Sequence, residues 1–391
     1  MASQTPAAPQ QRFSVPAPFY WAVRTVHATA PALVALGNLE TSLLGRKLEN
    51  VKIDRPVYIC GLPRAGTTIS LQMISEHPDV AAHKYADFLM PYLPYAWNWF
   101  FPRVPVNAMR DPQPRIHRDR IDITRDSVEM CEEMVWERFF PNLYGEDKTN
   151  SIDGTISNPA FAKFYRENIA KFMLVHNKTR YASKAIMCVL RMQYIRTLFP
   201  DAKFLFYVRN PVDQIASLIK QDRIFDEIDD NDHRQIEIIE MTGHHEFGRR
   251  QILPNVGNTE EVRQVRERMD RGDKVGARAR VWAYVNRYVL QQLSSDPGLA
   301  AATVLVRYED LCGNAPETID RIVKHTQLDA EKFAPVREKY IAKLSLPDYY
   351  KPMFDNEQLA DIVNVTSPIA SQFGYDVAAR AGTAAAAASA T

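Results

Sequence analysis

Cysteine is scarce in this chain of 391 residues: the four, Cys60, Cys131, Cys188 and Cys312, are far apart, with no CxxC pair and no histidine-rich partner. That spacing excludes a disulfide scaffold and a zinc site of the usual kind, and it fits buried free thiols in a reducing, cytoplasmic compartment. Charge of one sign is also missing. Lysine and arginine number 48 against 47 acidic residues, a formal net charge of +1, so no global field draws the chain to nucleic acid and any anion binding must be local. The opening MASQTPAAPQQ has no basic stretch leading into an apolar run, so no signal peptide is expected. Long hydrophobic runs are absent too: Phe19 to Leu48 carries Val23, Val26, Leu33, Leu36, Leu39 and Leu43 at helical spacing, but Arg24, His27, Asn38, Glu40 and Arg46 interrupt it. This is too polar to span a bilayer and reads as one or two amphipathic helices, with attachment to a membrane surface as an alternative.

With 46% hydrophobic residues the chain can bury a sizeable core. The expected organisation is a loose tail over 1–16, a helical extension over 17–50, a main domain over 51–375 and a disordered Ala-rich tail over 376–391, where no large apolar side chain is available. Within the main domain the clearest strands are Pro56 to Cys60, Lys203 to Val208 and Thr303 to Val306. Each is a continuous apolar run that stops at a glycine or a charged residue, as a buried parallel strand does where its carboxyl end opens into a site. The fold class is therefore α/β, a central parallel sheet flanked by helices. A Pro- and aromatic-rich stretch from Phe88 to Pro105 and an acidic run, DEIDDND, from Asp226 to Asp232 read as loop insertions that shape a pocket.

Two motifs carry chemistry. Gly61-Leu62-Pro63-Arg64-Ala65-Gly66-Thr67-Thr68 follows the first strand and precedes a helical run, so backbone N–H groups and a helix N-terminus converge as in a phosphate-binding loop. The nucleotide-hydrolase form of that loop has lysine after its second glycine; here Thr67 stands there and the cation is Arg64. This departure argues against a kinase or NTPase, which stays as one alternative. A non-catalytic anion-binding module is the other. The second motif lies 145 positions beyond Arg64: the strand KFLFYV runs into Arg209-Asn210-Pro211 and a helix. Ser217, eight residues after Arg209, comes two turns along that helix, within reach of a phosphate clamped by the guanidinium.

Together GLPRAGTT and FLFYVRNPVDQIAS resemble the 5′-phosphosulfate loop and the 3′-phosphate motif of sulfotransferases that use 3′-phosphoadenosine 5′-phosphosulfate (PAPS). The stretches HPDVAAHKYADF, CEEMVWERFF, RTLFPDAKFLFYVRNP and TGHHEFG are similar to a bacterial group of undefined acceptor, and the resemblance runs from Pro56 to Asp329. It implies a P-loop-like fold, PAPS as co-substrate, a hydroxyl acceptor and often a homodimer. It places Arg64 at the sulfuryl bridge, Ala65, Gly66, Thr67 and Thr68 at the 5′-phosphate, Arg209 and Ser217 at the 3′-phosphate, and Tyr308 near the adenosine, with Glu309 and Asp310 structural. Lys184, 25 positions before Arg209, matches the lysine beside the transferring group. No metal is expected, because the sulfuryl group carries less charge than a terminal phosphoryl group. The base is where the chain departs from the resemblance: Tyr85 and Ile186 stand where a glutamate or histidine is looked for. His83 ranks first as a replacement on its free pKa, then Asp87 and Glu133, with Glu132, His244, His245 and Glu246 as further candidates for the fold to bring in. The acceptor is expected to be a carbohydrate or lipid-linked hydroxyl; Tyr92, Tyr95, Trp97, Trp99 and Phe100 are candidates for its wall, with packing of the insertion the commoner fate of such a cluster.

Overall fold

The computed structural model describes residues 15–103, 111–119, 121–141, 143–231, 233–347 and 352–389. Its centre is a five-stranded, all-parallel sheet, built from β1 (Val57–Cys60), β2 (Val80–Ala81), β5 (Arg180–Lys184), β6 (Lys203–Val208) and β7 (Thr303–Arg307) in the order β2-β5-β1-β6-β7. A small antiparallel pair, β3 (Gln113–Pro114) and β4 (Asp122–Ile123), stands apart from it. The three long apolar runs are β1, β6 and β7. β2 and β5 escape a reading by apolar runs because one has two residues and the other, Arg-Tyr-Ala-Ser-Lys, mixes polar and apolar side chains.

Each strand alternates between two cores, as side chains of period two must when both faces are covered. Tyr58, Phe204 and Phe206 point into one, beneath helices that include Pro159–His176 and Lys274–Ser295. Val57, Ile59, Leu205 and Tyr207 point into the other, covered by Thr67–Ser75 and Ala315–Thr326. Register decides what this sheet can do. Ile59 pairs with Lys184, Cys60 with Phe206 and Val208 with Arg307. Lys184, the loop after Cys60, Arg209 and Tyr308 therefore emerge side by side at one carboxyl edge, where open α/β sheets bind ligands.

The expected helical extension is present as Ala17–Ala28, Ala30–Leu44 and Arg46–Glu49. The second of these is tied to the domain by a buried ion pair, Glu40 to Lys171 at 3.0 Å. Among the described residues no helix is long and apolar enough to cross a membrane. The tail expected over 1–16 lies outside the described residues except for its last two. Two expectations need correction. The Ala-rich end forms a helix, Val377–Ser389, because alanine is the best helix former and Val377, Ala381 and Ala384 find cover. Arg380 anchors it by two bonds to Asp213, at 2.8 and 2.6 Å. The acidic run is no loop either. Asp226 to Asn231 completes the helix Pro211–Asn231, with Asp226 paired to Lys274 and Asp230 to Arg249, while Asp232 lies outside the described residues.

Candidate functional site

The glycine loop needs its glycines. At Gly66 φ is 99°, and a Cβ there would sit 2.5 Å from the Tyr308 ring; at Gly61 φ is 148°, and a Cβ would meet the Tyr207 carbonyl oxygen at 2.5 Å. Only glycine adopts such angles at low cost and lets backbone approach so closely. Between them Arg64 holds φ at 70°, an unusual conformation for a side chain of that size. The second motif keeps it there. Arg209 donates to the Arg64 carbonyl at 3.1 Å, and Gln214 donates to the Pro63 carbonyl at 2.8 Å while itself accepting from the Trp282 indole. Arg209 also lies over the Tyr308 ring, 4.6 Å from its centre. The two motifs and Tyr308 thus form one body, from which the helix Thr67–Ser75 presents its unpaired N–H groups and positive dipole end.

Side chains around the loop form a chain of alternating charge. Arg64 bonds to Ser217 through Nε at 3.1 Å and to Asp119 at 3.0 Å. Asp119 also faces Arg115 at 3.5 Å, and Arg115 donates to Glu129 at 2.7 Å. Glu129 accepts from Lys184 at 2.5 Å, and Lys184 reaches Thr68 at 3.2 Å. Asp119, Arg115, Glu129 and Lys184 are all buried, so each charge depends on its neighbours. Burial alone would raise the Glu129 carboxyl, but Lys184 and Arg115 outweigh it and hold the group well below the usual carboxylate range. Asp119, Arg115 and Glu129 carry no local motif in the sequence. Isolated charged residues read as surface, and only the fold brings them against the loop.

The expected bases lie elsewhere. His83 stacks on Phe172, ring centres 4.1 Å apart, with Nδ1 3.4 Å from Asp87. Asp87 caps the turn Tyr85–Leu89, accepting from the Lys84 N–H at 2.8 Å and from Asn98 at 2.9 Å. Burial raises Asp87, yet His83 and these donors leave it below the ordinary carboxylate value. Glu133 is clamped by Arg191 at 2.9 and 2.8 Å and bonded by Tyr144, in a pair buried against Trp136. Glu132 takes three hydroxyls, from Tyr165, Tyr181 and Ser183, at 2.6 to 2.7 Å. His244 bonds with Thr242 and His245 with Glu137, while the Glu246 carbonyl accepts from Arg278. None of these side chains bonds into the chain of charges, but His244 lies near enough to Glu129 to help lower it, and Glu133, His245 and Glu246 line a cavity of about 30 Å³ beside Leu62 and Pro63 of the loop. Of the aromatic stretch, Tyr92 is buried and bonded to the Met134 carbonyl, Tyr95 and Trp97 are half-buried, and Trp99 and Phe100 are exposed. Glu309, as expected of a structural residue, accepts from the Asn210 N–H and the Tyr375 hydroxyl.

Residues 56–245, which hold both motifs and the strands between them, match the model of the Sulfotransferase family. Among solved structures it is similar to a sulfotransferase from Mycobacterium avium, with 13% identity over 86% of this chain and 81% of that one and a TM-score of 0.49. It is also similar to a sulfotransferase from Mycobacterium tuberculosis, with 14% identity, 85% and 83% coverage and a TM-score of 0.43. The sulfotransferase domain of the Synechococcus olefin synthase matches at 14% identity over 84% of this chain and 97% of that domain, with a TM-score of 0.37. No curated protein matches the chain.

Proposed function

We propose that the protein transfers the sulfuryl group of PAPS to a hydroxyl of an acceptor, with adenosine 3′,5′-bisphosphate leaving. The observation that carries this reading is the joining of two anion-binding motifs in one body: the loop from Gly61 to Thr68 and the Arg209–Ser217 pair, linked through the Arg64 carbonyl and side chain. A donor with a phosphate at each end of a nucleoside needs two such sites.

In sulfuryl transfer the bond from sulfur to the bridging oxygen loosens early, and negative charge gathers on the departing 5′-phosphate. Preorganised donors aimed at that oxygen lower the barrier. Arg64 and Lys184 supply cations at the bridge, and the N–H groups at Ala65, Gly66, Thr67 and Thr68 cradle the 5′-phosphate. Arg209 and Ser217 take the 3′-phosphate, and Tyr308, under the Arg209 guanidinium, packs near the adenosine. The proposed acceptor is a carbohydrate or lipid-linked hydroxyl, brought to the Arg64 and Lys184 end of the loop. Thr67, in the place of a phosphate-loop lysine, speaks against ATP. Free thiols at Cys60 and Cys188, with sulfurs 3.4 Å apart, fit a reducing cytoplasm.

Thermal unfolding in the presence of chelator tests the reading. Adenosine 3′,5′-bisphosphate at one hundred times its Kd should stabilise the protein by about 2.7 kcal/mol. Stabilisation by ATP with magnesium alone would point to a kinase, and by neither ligand to an interaction module.

A further inference from the structure

We propose that His117 is the general base that takes the proton of the acceptor hydroxyl. The inference rests on the donor reading above and deepens it, since His83, Asp87 and Glu133, the three ranked candidates, bond outside the chain of charges around the loop.

His117 lies between β3 and β4, flanked by Arg115 and Asp119, whose side chains enter that chain of charges at Glu129 and Arg64. Its ring is buried against the helix Pro211–Asn231, 5.5 Å from the Phe225 ring, with Phe247 edge-on at 5.7 Å. One residue of the helix holds it twice. Gln221 donates through Nε2 to the carbonyl oxygen of His117 at 3.0 Å, and this fixes which end of the amide is which. The atom 2.7 Å from Nδ1 is then the Gln221 amide oxygen, which can only accept. Nδ1 must carry the hydrogen, and Nε2 is left with the lone pair, the form a general base requires. Gln221 follows Ser217 by one helical turn, and Ser217 touches Arg64, so the imidazole is anchored to the same helix face that holds the loop arginine.

The charges around the ring make its basicity depend on the donor. Burial, then Arg115 and Arg64, push the imidazole well below its usual range, with Gln221 and Glu129 opposing. The other charges nearby are paired among themselves: Arg278 packs over Phe247 and is bound to Asp222, and Arg118 is bound to Glu227. An anionic donor on Arg64 offsets one of the two cations that suppress the ring, so Nε2 gains basicity when the phosphosulfate is in place. In the transfer, the acceptor oxygen forms its bond to sulfur as the bond from sulfur to the 5′-phosphate oxygen breaks. That electron pair stays on the phosphate, and the hydroxyl proton passes to Nε2 and later to water.

Nitrogen-15 histidine NMR of the wild-type chain, titrated with adenosine 3′,5′-bisphosphate beside calorimetry of the same sample, tests this directly. The expected result is an Nδ1–H tautomer for His117 and an upward move of its pKa as ligand saturates. An Nε2–H tautomer, or a ring whose pKa stays put while calorimetry reports binding, overturns the assignment and leaves the donor reading intact. Absence of binding sinks the donor reading and this one with it. PAPS consumption with methanol as a minimal acceptor supplies the second readout. His117→Gln should slow it by about 10² to 10⁴-fold, keep adenosine 3′,5′-bisphosphate affinity within about threefold and flatten the pH dependence, whereas His83→Gln should not. Equal consumption by wild type and His117→Gln overturns the proposal.

Discussion

Glu129→Gln is the sharpest probe of the buried charges. The carboxylate accepts from Lys184 at 2.5 Å, Arg115 at 2.7 Å, Tyr85 at 3.1 Å and the Met130 N–H at 2.9 Å. Glutamine keeps the shape but removes the charge, leaving two buried cations short of an anion and turning one acceptor into a donor that faces them. Removing one partner of a buried pair costs about 3 to 5 kcal/mol, a large part of the roughly 5 to 15 kcal/mol that holds a domain together. At about 1.2 °C per kcal/mol for a chain of this size, Tm should fall by about 4 to 6 °C in calorimetry near neutral pH. The difference has a defined pH window. A carboxyl held below its unfolded value contributes stability above about pH 4.3 and loses it as pH falls through the folded value, so wild type and variant should converge in acid. Adenosine 3′,5′-bisphosphate should raise Tm more in the variant, because its 5′-phosphate replaces the missing anion beside Lys184. A variant within about 1 kcal/mol of wild type at neutral pH would refute the reasoning, since the pair would then carry no net coupling.

Gly66→Ala forces a side chain to a φ of 99° and drives its Cβ into the Tyr308 ring beneath Arg209. Backbone strain of about 1 to 2 kcal/mol, added to the displaced ring, should weaken adenosine 3′,5′-bisphosphate binding at least tenfold while circular dichroism stays native. His245 gives a pH signature of the opposite sign to Glu129. Burial lowers it, but Glu137 at 2.8 Å outweighs burial and raises it. The wild type should therefore exceed His245→Gln in stability below about pH 6.5, and the margin should vanish as pH rises through the folded value; a margin that grows toward pH 8 would contradict the ion pair.

What the sequence discloses and what it hides follows from the range of each interaction. β1, β6 and β7 are legible as apolar runs, and the glycine loop is legible because its angles are a local demand on Gly61 and Gly66. The long-range charges are not. Asp119, Arg115 and Glu129 look like solvated residues until the sheet register brings Lys184 beside Ile59 and the β3–β4 segment folds over the loop. His83 ranks first on the pKa of a free histidine, and only the fold shows its ring stacked on Phe172. At the carboxyl end the difference is of another kind. Lack of large apolar side chains argues for disorder, yet alanine's helix propensity, the cover over Val377, Ala381 and Ala384 and the bonds of Arg380 to Asp213 give a helix.

The central claim is that two phosphates are bound, one at each motif. Calorimetric titration of wild type and Arg209→Ala with adenosine 3′,5′-bisphosphate in chelator tests it most directly. Losing charge-assisted hydrogen bonds to the 3′-phosphate removes about 1.5 to 3 kcal/mol, so affinity should drop by about 10 to 150-fold with folding preserved. Equal affinity in the two proteins, or no binding to folded wild type, would contradict the account.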